Sequence, residues 1–178
     1  ARLVQRVLPA MRAQGAGRII NISSIGGKIH EPMGAWYHAT KFALEGLSDC
    51  LRMELAPFGI DVVVIEPGAV RTDWSRIARR GLVDTSGDGP YRDQALMSAA
   101  LLAAADGANA APPEVVARAV SAALGARRPR TRYVVGGGAR PMLALRRVLS
   151  DRAFDRVMRT VMRGMMARAR RRGITLEA

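Results

Sequence analysis

Three consecutive segments between residues 17 and 74 constrain the fold of this chain more than any other part of its sequence. An apolar run over residues 19–22 stops at two serines, and a helix-length segment then opens near Tyr37. A β-branched run over residues 62–65 stops at Pro67 and Gly68. A strand, a helix and a second strand in this order predict a right-handed βαβ unit of a parallel sheet. Ligands of such sheets bind beyond the carboxyl ends of the strands, so a site is expected there.

The composition is that of a globular domain with a real core. Of 178 residues, 49% are apolar and 24% are charged, and no apolar run approaches the roughly 20 residues that span a bilayer. The N-terminal segment lacks the features of a signal peptide, so we expect a cytoplasmic protein or a chain that begins inside a longer one. The single cysteine, Cys50, is predicted to be a small core residue of an apolar helix. His30 and His38 have no partners at ligand spacing, so no metal site is predicted.

The formal net charge of +13 is typical of proteins that bind nucleic acid or another anionic surface. The positive charge is nearly all arginine and is densest over residues 127–172, where only Asp151 and Asp155 oppose it. No cluster of aromatic residues accompanies these arginines as a platform on which bases could stack. Nucleic acid is therefore not predicted as a partner.

The pattern divides the chain into an α/β domain over residues 1–138 and a helical extension over residues 139–178. Within the domain, residues 74 to about 111 predict short helices that follow the Pro67-Gly68 corner and would cover the site as a lid. The extension carries a stripe of apolar residues, mostly methionine, with arginines around it. Such a helix can pack on its own domain, or it can lie on an anionic membrane or a partner helix. The sequence leaves both alternatives open.

Tyr37 and Lys41 lie one helical turn apart and are predicted to share a face. An ammonium group beside a phenol favours the phenolate, so it lowers a pKa that is ordinarily about 10 and prepares the tyrosine for proton transfer. Ser24 ends the preceding strand thirteen residues before Tyr37, and the loop between them is long enough to bring their hydroxyls together. Gly68 and Thr72 end the neighbouring strand at the same edge. These features predict one catalytic site.

With these motifs the chain resembles the C-terminal two-thirds of a short-chain dehydrogenase/reductase, a Rossmann-type oxidoreductase that uses NAD or NADP. The matching pieces are Asn21-Ile22-Ser23-Ser24, Tyr37-His38-Ala39-Thr40-Lys41 and Pro67-Gly68-Ala69-Val70-Arg71-Thr72. Their order and spacing agree with the family. The implied fold is α/β, with the last three strands of a doubly wound parallel sheet, their flanking helices and the C-terminal helical extension.

The resemblance also implies the role of each site residue. Tyr37 would be the catalytic acid/base, Ser24 would hydrogen-bond the substrate oxygen, and Lys41 would lower the Tyr37 pKa and hold the nicotinamide ribose. The implied cofactor-binding residues are Tyr37, Lys41, Pro67, Gly68, Val70 and Thr72. The implied reaction is hydride transfer between NAD or NADP and a secondary alcohol or ketone.

The apolar loop and lid favour an apolar substrate such as a steroid, a retinoid or a fatty-acyl derivative. His30, Trp36 and Trp74 are further candidates to contact it. The resemblance implies a homo-oligomer as well, because the helices equivalent to residues 3–14 and 36–57 commonly form the family's dimer contact.

The family's Gly-rich turn, its selector of NAD or NADP and its catalytic asparagine have no counterpart in the sequence. The triple glycine at 136–138 cannot replace the turn, because it opens no βαβ unit. We therefore expect an N-terminally truncated sequence whose first strand has an open edge, and an isolated chain that is poorly soluble or oligomeric and inactive. The alternatives are a non-catalytic short form and a basic protein that binds the membrane surface through its C-terminal helix.

Overall fold

The computed structural model describes residues 1–107 and 110–171, so two residues of the predicted lid and the end of the extension lie outside the described residues. Seven α-helices and three strands follow one another along this part of the chain. In order they are α1 (Arg2–Gln14), β1 (Gly17–Ile22), α2 (Ala35–Leu55), β2 (Ile60–Pro67), α3 (Trp74–Ser86), α4 (Arg92–Ala105), α5 (Glu114–Gly125), β3 (Arg132–Val135), α6 (Ala139–Val148) and α7 (Asp151–Arg171).

The three strands form one parallel sheet in the order β1-β2-β3, which confirms the predicted α/β fold. Ile19 pairs with Val62, and Ile65 pairs with Tyr133. The central strand β2 is buried on both faces, which explains its continuous β-branched run. Among the described residues no strand pairs with the outer edge of β1.

Each face of the sheet is covered by helices. On one face Ile19, Ile60 and Val62 pack with α1 and with Leu55 of α2. On the other face Val63 and Ile65 pack against α5, where Ala119 and Ala123 allow close approach of the helix. The alternation along β2 follows from the two-residue period of a strand.

Arg18 of β1 fastens α5 to the sheet. Its guanidinium donates hydrogen bonds to the carbonyl oxygens of Ala123, Leu124 and Ala126 over 2.6, 2.8 and 2.9 Å. It also pairs with the Asp61 carboxylate over 2.7 Å. The last carbonyls of a helix lack intrahelical donors and carry the negative end of its dipole, so a cation at this point stabilises the helix terminus.

A cluster of charged side chains lies just below the carboxyl end of β2. Arg132 contacts the carboxylates of Glu45, Asp49 and Glu66 over 3.1, 2.7 and 3.1 Å, and Lys28 contacts Glu45 over 3.2 Å. Glu45 and Glu66 are almost completely buried. Burial, followed by the nearby Glu45 carboxylate, raises the pKa of Glu66. Arg132 therefore provides the charge that makes this burial tolerable.

The second apolar face of α2 is not covered by the described part of the chain. The sequence predicts burial of this helix on both sides, yet Met53 is 75% exposed and Phe42 and Leu47 are also exposed. Cys50 lies on the solvent side of the same helix, so its predicted core position is wrong. The apolar pattern of α2 fits the sheet on one side only, and nothing among the described residues packs on the other.

The methionine stripe of α7 packs on the protein itself. Phe154, Met158, Met162 and Met166 are buried, and Phe154 and Met158 form a core cluster with Ile29 of the loop before α2. This is the first of the two alternatives that the sequence leaves open. None of the described helices combines the length and the hydrophobicity that crossing a bilayer requires.

Candidate active site

Ser24 lies directly after β1, where the chain turns away from the sheet. Its hydroxyl oxygen accepts a hydrogen bond from the Gly26 N–H over 3.0 Å and donates to the Pro67 carbonyl over 3.3 Å. It thereby caps the short 3₁₀ turn Ile25–Gly27 and connects the ends of β1 and β2. A Cβ atom on Gly26 would lie 2.8 Å from Cε1 of Tyr37. Glycine therefore allows the turn to approach the phenol ring.

Tyr37 lies in the first turn of α2 with its ring between two other rings. The centroid of the Tyr37 ring lies 5.1 Å from that of the Trp74 ring and 5.5 Å from that of the His38 ring. Burial raises the pKa of the Tyr37 phenol, the Ser24 hydroxyl partly offsets this rise, and the Glu31 carboxyl adds to it. The lowering that the Tyr-x-x-x-Lys spacing predicts is not found in this arrangement, where burial of the phenol is the largest influence on its pKa.

Lys41 lies one turn after Tyr37 on the same face of α2. Its Nζ donates to the Ile22 carbonyl over 3.1 Å and is 6.0 Å from the centroid of the Tyr37 ring. Partial burial lowers the pKa of the ammonium. An ammonium has three donors, so two remain beyond the one used on the end of β1.

The chain after β2 forms the opposite wall of the site. A Cβ on Gly68 would lie 2.5 Å from the Gly137 carbonyl oxygen, so only glycine fits beside the loop after β3. The Ala69 N–H donates to that same oxygen over 3.0 Å. The Thr72 hydroxyl accepts from the backbone N–H of Trp74 over 3.3 Å, at the start of α3.

All seven residues that the sequence nominates for catalysis or cofactor binding line one cavity of about 510 Å³. They are Ser24, Tyr37, Lys41, Pro67, Gly68, Val70 and Thr72. The rest of the wall is largely apolar. It includes residues of the loop before α2, of the predicted lid and of the C-terminal extension, namely Ile29, Leu101, Leu102, Ala105, Met142 and Met158. The structure therefore brings the predicted site together at the carboxyl ends of β1 and β2.

The three residues predicted as further substrate contacts, His30, Trp36 and Trp74, lie in different places. Trp74 lines the cavity, whereas Trp36 is 88% exposed on the outside of α2. Nε2 of His30 lies 2.9 Å from Oδ1 of Asp155, so this histidine connects the loop to α7 rather than lining the cavity.

Sequence reasoning missed two residues at the site, His38 and Glu31. Nδ1 of His38 lies 2.8 Å from the Gly26 carbonyl, which can only accept, and Nε2 accepts from the Glu31 N–H over 3.2 Å. His38 is therefore the neutral tautomer with its proton on Nδ1. Its position inside the Tyr-x-x-x-Lys motif is visible in the sequence, but its two backbone partners are not.

Comparison with known proteins gives the same family throughout. The sequence pattern of the short chain dehydrogenase family matches residues 1–81. The uncharacterized oxidoreductase YbbO of Escherichia coli is 35% identical over 88% of this chain and 54% of its own length. The probable short-chain type dehydrogenase/reductase VdlC of Helicobacter pylori is 30% identical over 91% of this chain and 59% of its own length. The chain spans about half the length of the curated relatives it matches.

Two solved structures extend this agreement to three dimensions. A short-chain dehydrogenase from Streptomyces avermitilis is 34% identical with a TM-score of 0.63, covering 92% of this chain and 58% of that one. An actinorhodin polyketide ketoreductase with NADPH is 30% identical with a TM-score of 0.59. The match covers 78% of this chain and 53% of that one. Sequence, fold and the arrangement of the motifs agree, and the chain therefore belongs to the short-chain dehydrogenase/reductase family of oxidoreductases.

Proposed function

We propose that the protein interconverts a secondary alcohol and a ketone with NAD or NADP as cofactor. The observation that carries this proposal is the convergence of Ser24, Tyr37 and Lys41 on one largely apolar cavity. The similarity to a ketoreductase whose structure contains NADPH supports the reaction and the cofactor class.

The residues at this cavity fit the nicotinamide end of the cofactor. Lys41 donates one hydrogen bond to the Ile22 carbonyl. The other two N–H groups of its ammonium can donate to the paired hydroxyls of a ribose. Pro67, Val70 and Thr72 offer an apolar wall with one hydroxyl beside it. When bound, NAD or NADP supplies or accepts the hydride. The triple glycine at 136–138 lies between β3 and α6, but no strand follows α6 among the described residues, so this turn opens no βαβ unit. Residues of this chain are therefore assigned to the nicotinamide end alone.

Proton transfer is assigned to Tyr37. Because burial raises its pKa, the phenol is protonated at neutral pH and can donate its proton to the oxygen of a ketone as that oxygen becomes an alkoxide. The Ser24 hydroxyl hydrogen-bonds the same oxygen and stabilises the charge that develops on it. In this assignment the Lys41 ammonium stabilises the tyrosinate that the transfer leaves, and solvent then returns the proton to Tyr37.

The lining of the cavity favours a mostly apolar substrate. Leu101 and Leu102 of α4 and Met142 and Met158 of the C-terminal helices surround the space beyond Tyr37. We assign α3 and α4 the role of a lid, because Trp74 of α3 contacts the Tyr37 ring.

A homo-oligomer is the partner that we propose for the exposed apolar face of α2. Phe42, Leu47 and Met53 lie on that face in the described chain, and burial of such a patch is a usual basis of association between copies. Membrane contact through the arginines of α7 remains a prediction, although the apolar stripe of that helix is buried within the protein.

The test is the Tyr37→Phe variant of the full-length protein that contains this chain, assayed by oxidation of NADH and of NADPH with ethyl octyl ketone. Loss of a proton donor of this kind reduces the rate about 10²–10⁴-fold. Tyr91→Phe is the matched control, since Tyr91 is an exposed tyrosine at the start of α4, and its rate should not change. An unchanged rate in Tyr37→Phe would contradict the proposed role.

A further inference from the structure

Glu31 places a carboxyl group in the wall of the cavity beside the catalytic tyrosine. Asp106 also lines the cavity with a carboxylate, and this carboxylate accepts a hydrogen bond from the Ser75 hydroxyl. No hydrogen bond or ion pair to the Glu31 carboxyl occurs among residues 1–107 and 110–171. Burial raises the pKa of Glu31, and its charge acts on the Tyr37 phenol. A carboxyl group without a hydrogen-bond partner among these residues therefore lines a largely apolar cavity.

The backbone of Glu31 is held from the side of α2. Its N–H donates to Nε2 of His38, and the other ring nitrogen of His38 is fixed on the Gly26 carbonyl. His38 is buried, so the imidazole cannot turn away without leaving both backbone groups unpaired. Glu31 is thereby fixed relative to the same helix that carries Tyr37.

A turn holds the residues that follow Glu31. The Gly34 N–H donates to the Glu31 carbonyl over 3.4 Å, Pro32 takes the second position, and Met33 takes the third with φ 66°. This is the pattern of a type II turn, in which glycine or asparagine usually takes the third position. Met33 is the one non-glycine residue with positive φ in the described part of the chain. Unfavourable backbone conformations of this kind persist where the surrounding contacts determine them, often at functional sites.

Helix α4, in the proposed lid, also contacts this turn. The Ser98 hydroxyl of α4 donates to the Pro32 carbonyl over 3.1 Å, and Ser98 is buried. The segment is therefore pinned between α2 and α4, and a residue before proline is itself restricted to extended backbone. The backbone that carries the Glu31 carboxyl is therefore fixed beside the cavity.

We propose that Glu31 determines substrate specificity by accepting a hydrogen bond from a substrate hydroxyl next to the reacting carbon, an inference that rests on the proposed oxidoreductase function. The carboxyl has an acceptor oxygen whether or not it is protonated. Its nearness to Tyr37 puts the bonded hydroxyl close to the carbon that reacts. The apolar remainder of the cavity takes an alkyl chain, so the substrate class is an aliphatic hydroxy ketone or the corresponding diol.

The test compares three ketones that differ at a single group. They are hydroxymethyl octyl ketone, methoxymethyl octyl ketone, which lacks the donor, and ethyl octyl ketone, which lacks the oxygen. A hydrogen bond to a carboxylate should favour the hydroxymethyl compound in kcat/KM by about tenfold to a hundredfold over the methoxymethyl compound. Glu31→Leu should abolish this ratio, whereas Glu31→Gln should keep part of it because the amide oxygen still accepts.

The variants keep the inference separate from the proposed function. Reduction of ethyl octyl ketone should be similar in the wild type and in the exposed control Glu54→Gln. For Glu31→Leu the comparison is the ratio between ketones within the variant, so that an effect of Glu31 on Tyr37 cancels. If the wild type reduces all three ketones equally, or if Glu31→Leu keeps the ratio, Glu31 has no such role and the oxidoreductase proposal stands. If the full-length wild type reduces no ketone with NADH or NADPH, the proposed function fails instead.

A binding measurement then decides the role of Glu31 without turnover. Trp74 lines the cavity, so its fluorescence should respond to a bound ligand, and the Trp36→Phe background removes the signal of the exposed tryptophan. Titration with hydroxymethyl octyl ketone should give a Kd about tenfold or more below that of the methoxymethyl compound, and Glu31→Leu should equalise the two values. Equal Kd values in the wild type would overturn the inference.

Discussion

Replacing Arg132 with leucine should destabilise the protein by removing the central cation of the buried charge cluster. Breaking a buried ion pair by removing one partner costs about 3–5 kcal/mol, because the other charge stays buried without compensation. The Asp49 side chain is 39% exposed, so its contact adds little. Glu45 keeps Lys28 at 3.2 Å, which leaves Glu66 as the main uncompensated group. We therefore expect a loss near the lower limit, about 3 kcal/mol, in the free energy of unfolding.

Urea unfolding of the purified Arg132→Leu variant measures this loss. The matched control is Arg80→Leu, whose side chain is 75% exposed and pairs only with the exposed Asp84 over 3.7 Å. Removal of such a surface pair should change stability by less than about 1 kcal/mol. A loss in Arg132→Leu no larger than that of the control would refute the reasoning.

The pH dependence and a second substitution separate charge from packing. Without Arg132 the folded-state pKa of Glu66, already raised by burial, rises further above its unfolded value. The folded state then binds more protons than the unfolded state, so the defect should shrink as the pH falls from neutral toward the unfolded pKa. Glu66→Gln added to Arg132→Leu should likewise recover about 1–2 kcal/mol at neutral pH. If neither change reduces the defect, the loss comes from packing.

Two further substitutions test the backbone of the site, each against a control elsewhere in the chain. Gly68→Ala should destabilise the protein by about 1–3 kcal/mol, because its Cβ would lie 2.5 Å from a backbone oxygen, whereas Gly46→Ala in open space on α2 should stabilise it by about 0.5–1 kcal/mol in urea unfolding. Met33→Gly should raise the melting temperature. An L-residue at φ 66° has a conformational free energy about 1–2 kcal/mol less favourable than that of glycine. Met53→Gly should instead lower it, because glycine in a helix interior costs about 1 kcal/mol. A lower melting temperature for Met33→Gly would show that side-chain packing outweighs the backbone term.

Local patterns in the sequence predict much of the fold and of the candidate site. The βαβ unit is predictable because strand and helix periods differ, and because residues that end parallel strands meet at one edge of the sheet. The same edge brings Ser24, Tyr37 and Thr72 to one cavity. The Tyr-x-x-x-Lys spacing needs only the geometry of one helix. These features depend on contacts that are near in sequence or dictated by the sheet.

The features that the sequence does not predict depend on distant contacts. Glu45 and Arg132 meet across 87 residues, and each alone resembles an ordinary surface charge. The turn at Glu31 lacks the glycine that would mark a type II turn, because Met33 takes that position. The turn contacts His38 of α2 and Ser98 of α4, and no local propensity reveals these contacts.

The contacts of Arg18 couple the alignment of β1 to the seating of α5. Side chains alternate between the faces of a strand, so a shift of β1 by one residue would turn the guanidinium to the opposite side of the sheet. Its hydrogen bonds to the Ala123, Leu124 and Ala126 carbonyls would be lost together. Misaligned chains would thus leave the end of α5 without donors, and they would be less stable than correctly paired ones. One cation on β1 therefore favours the correct alignment of this strand with β2.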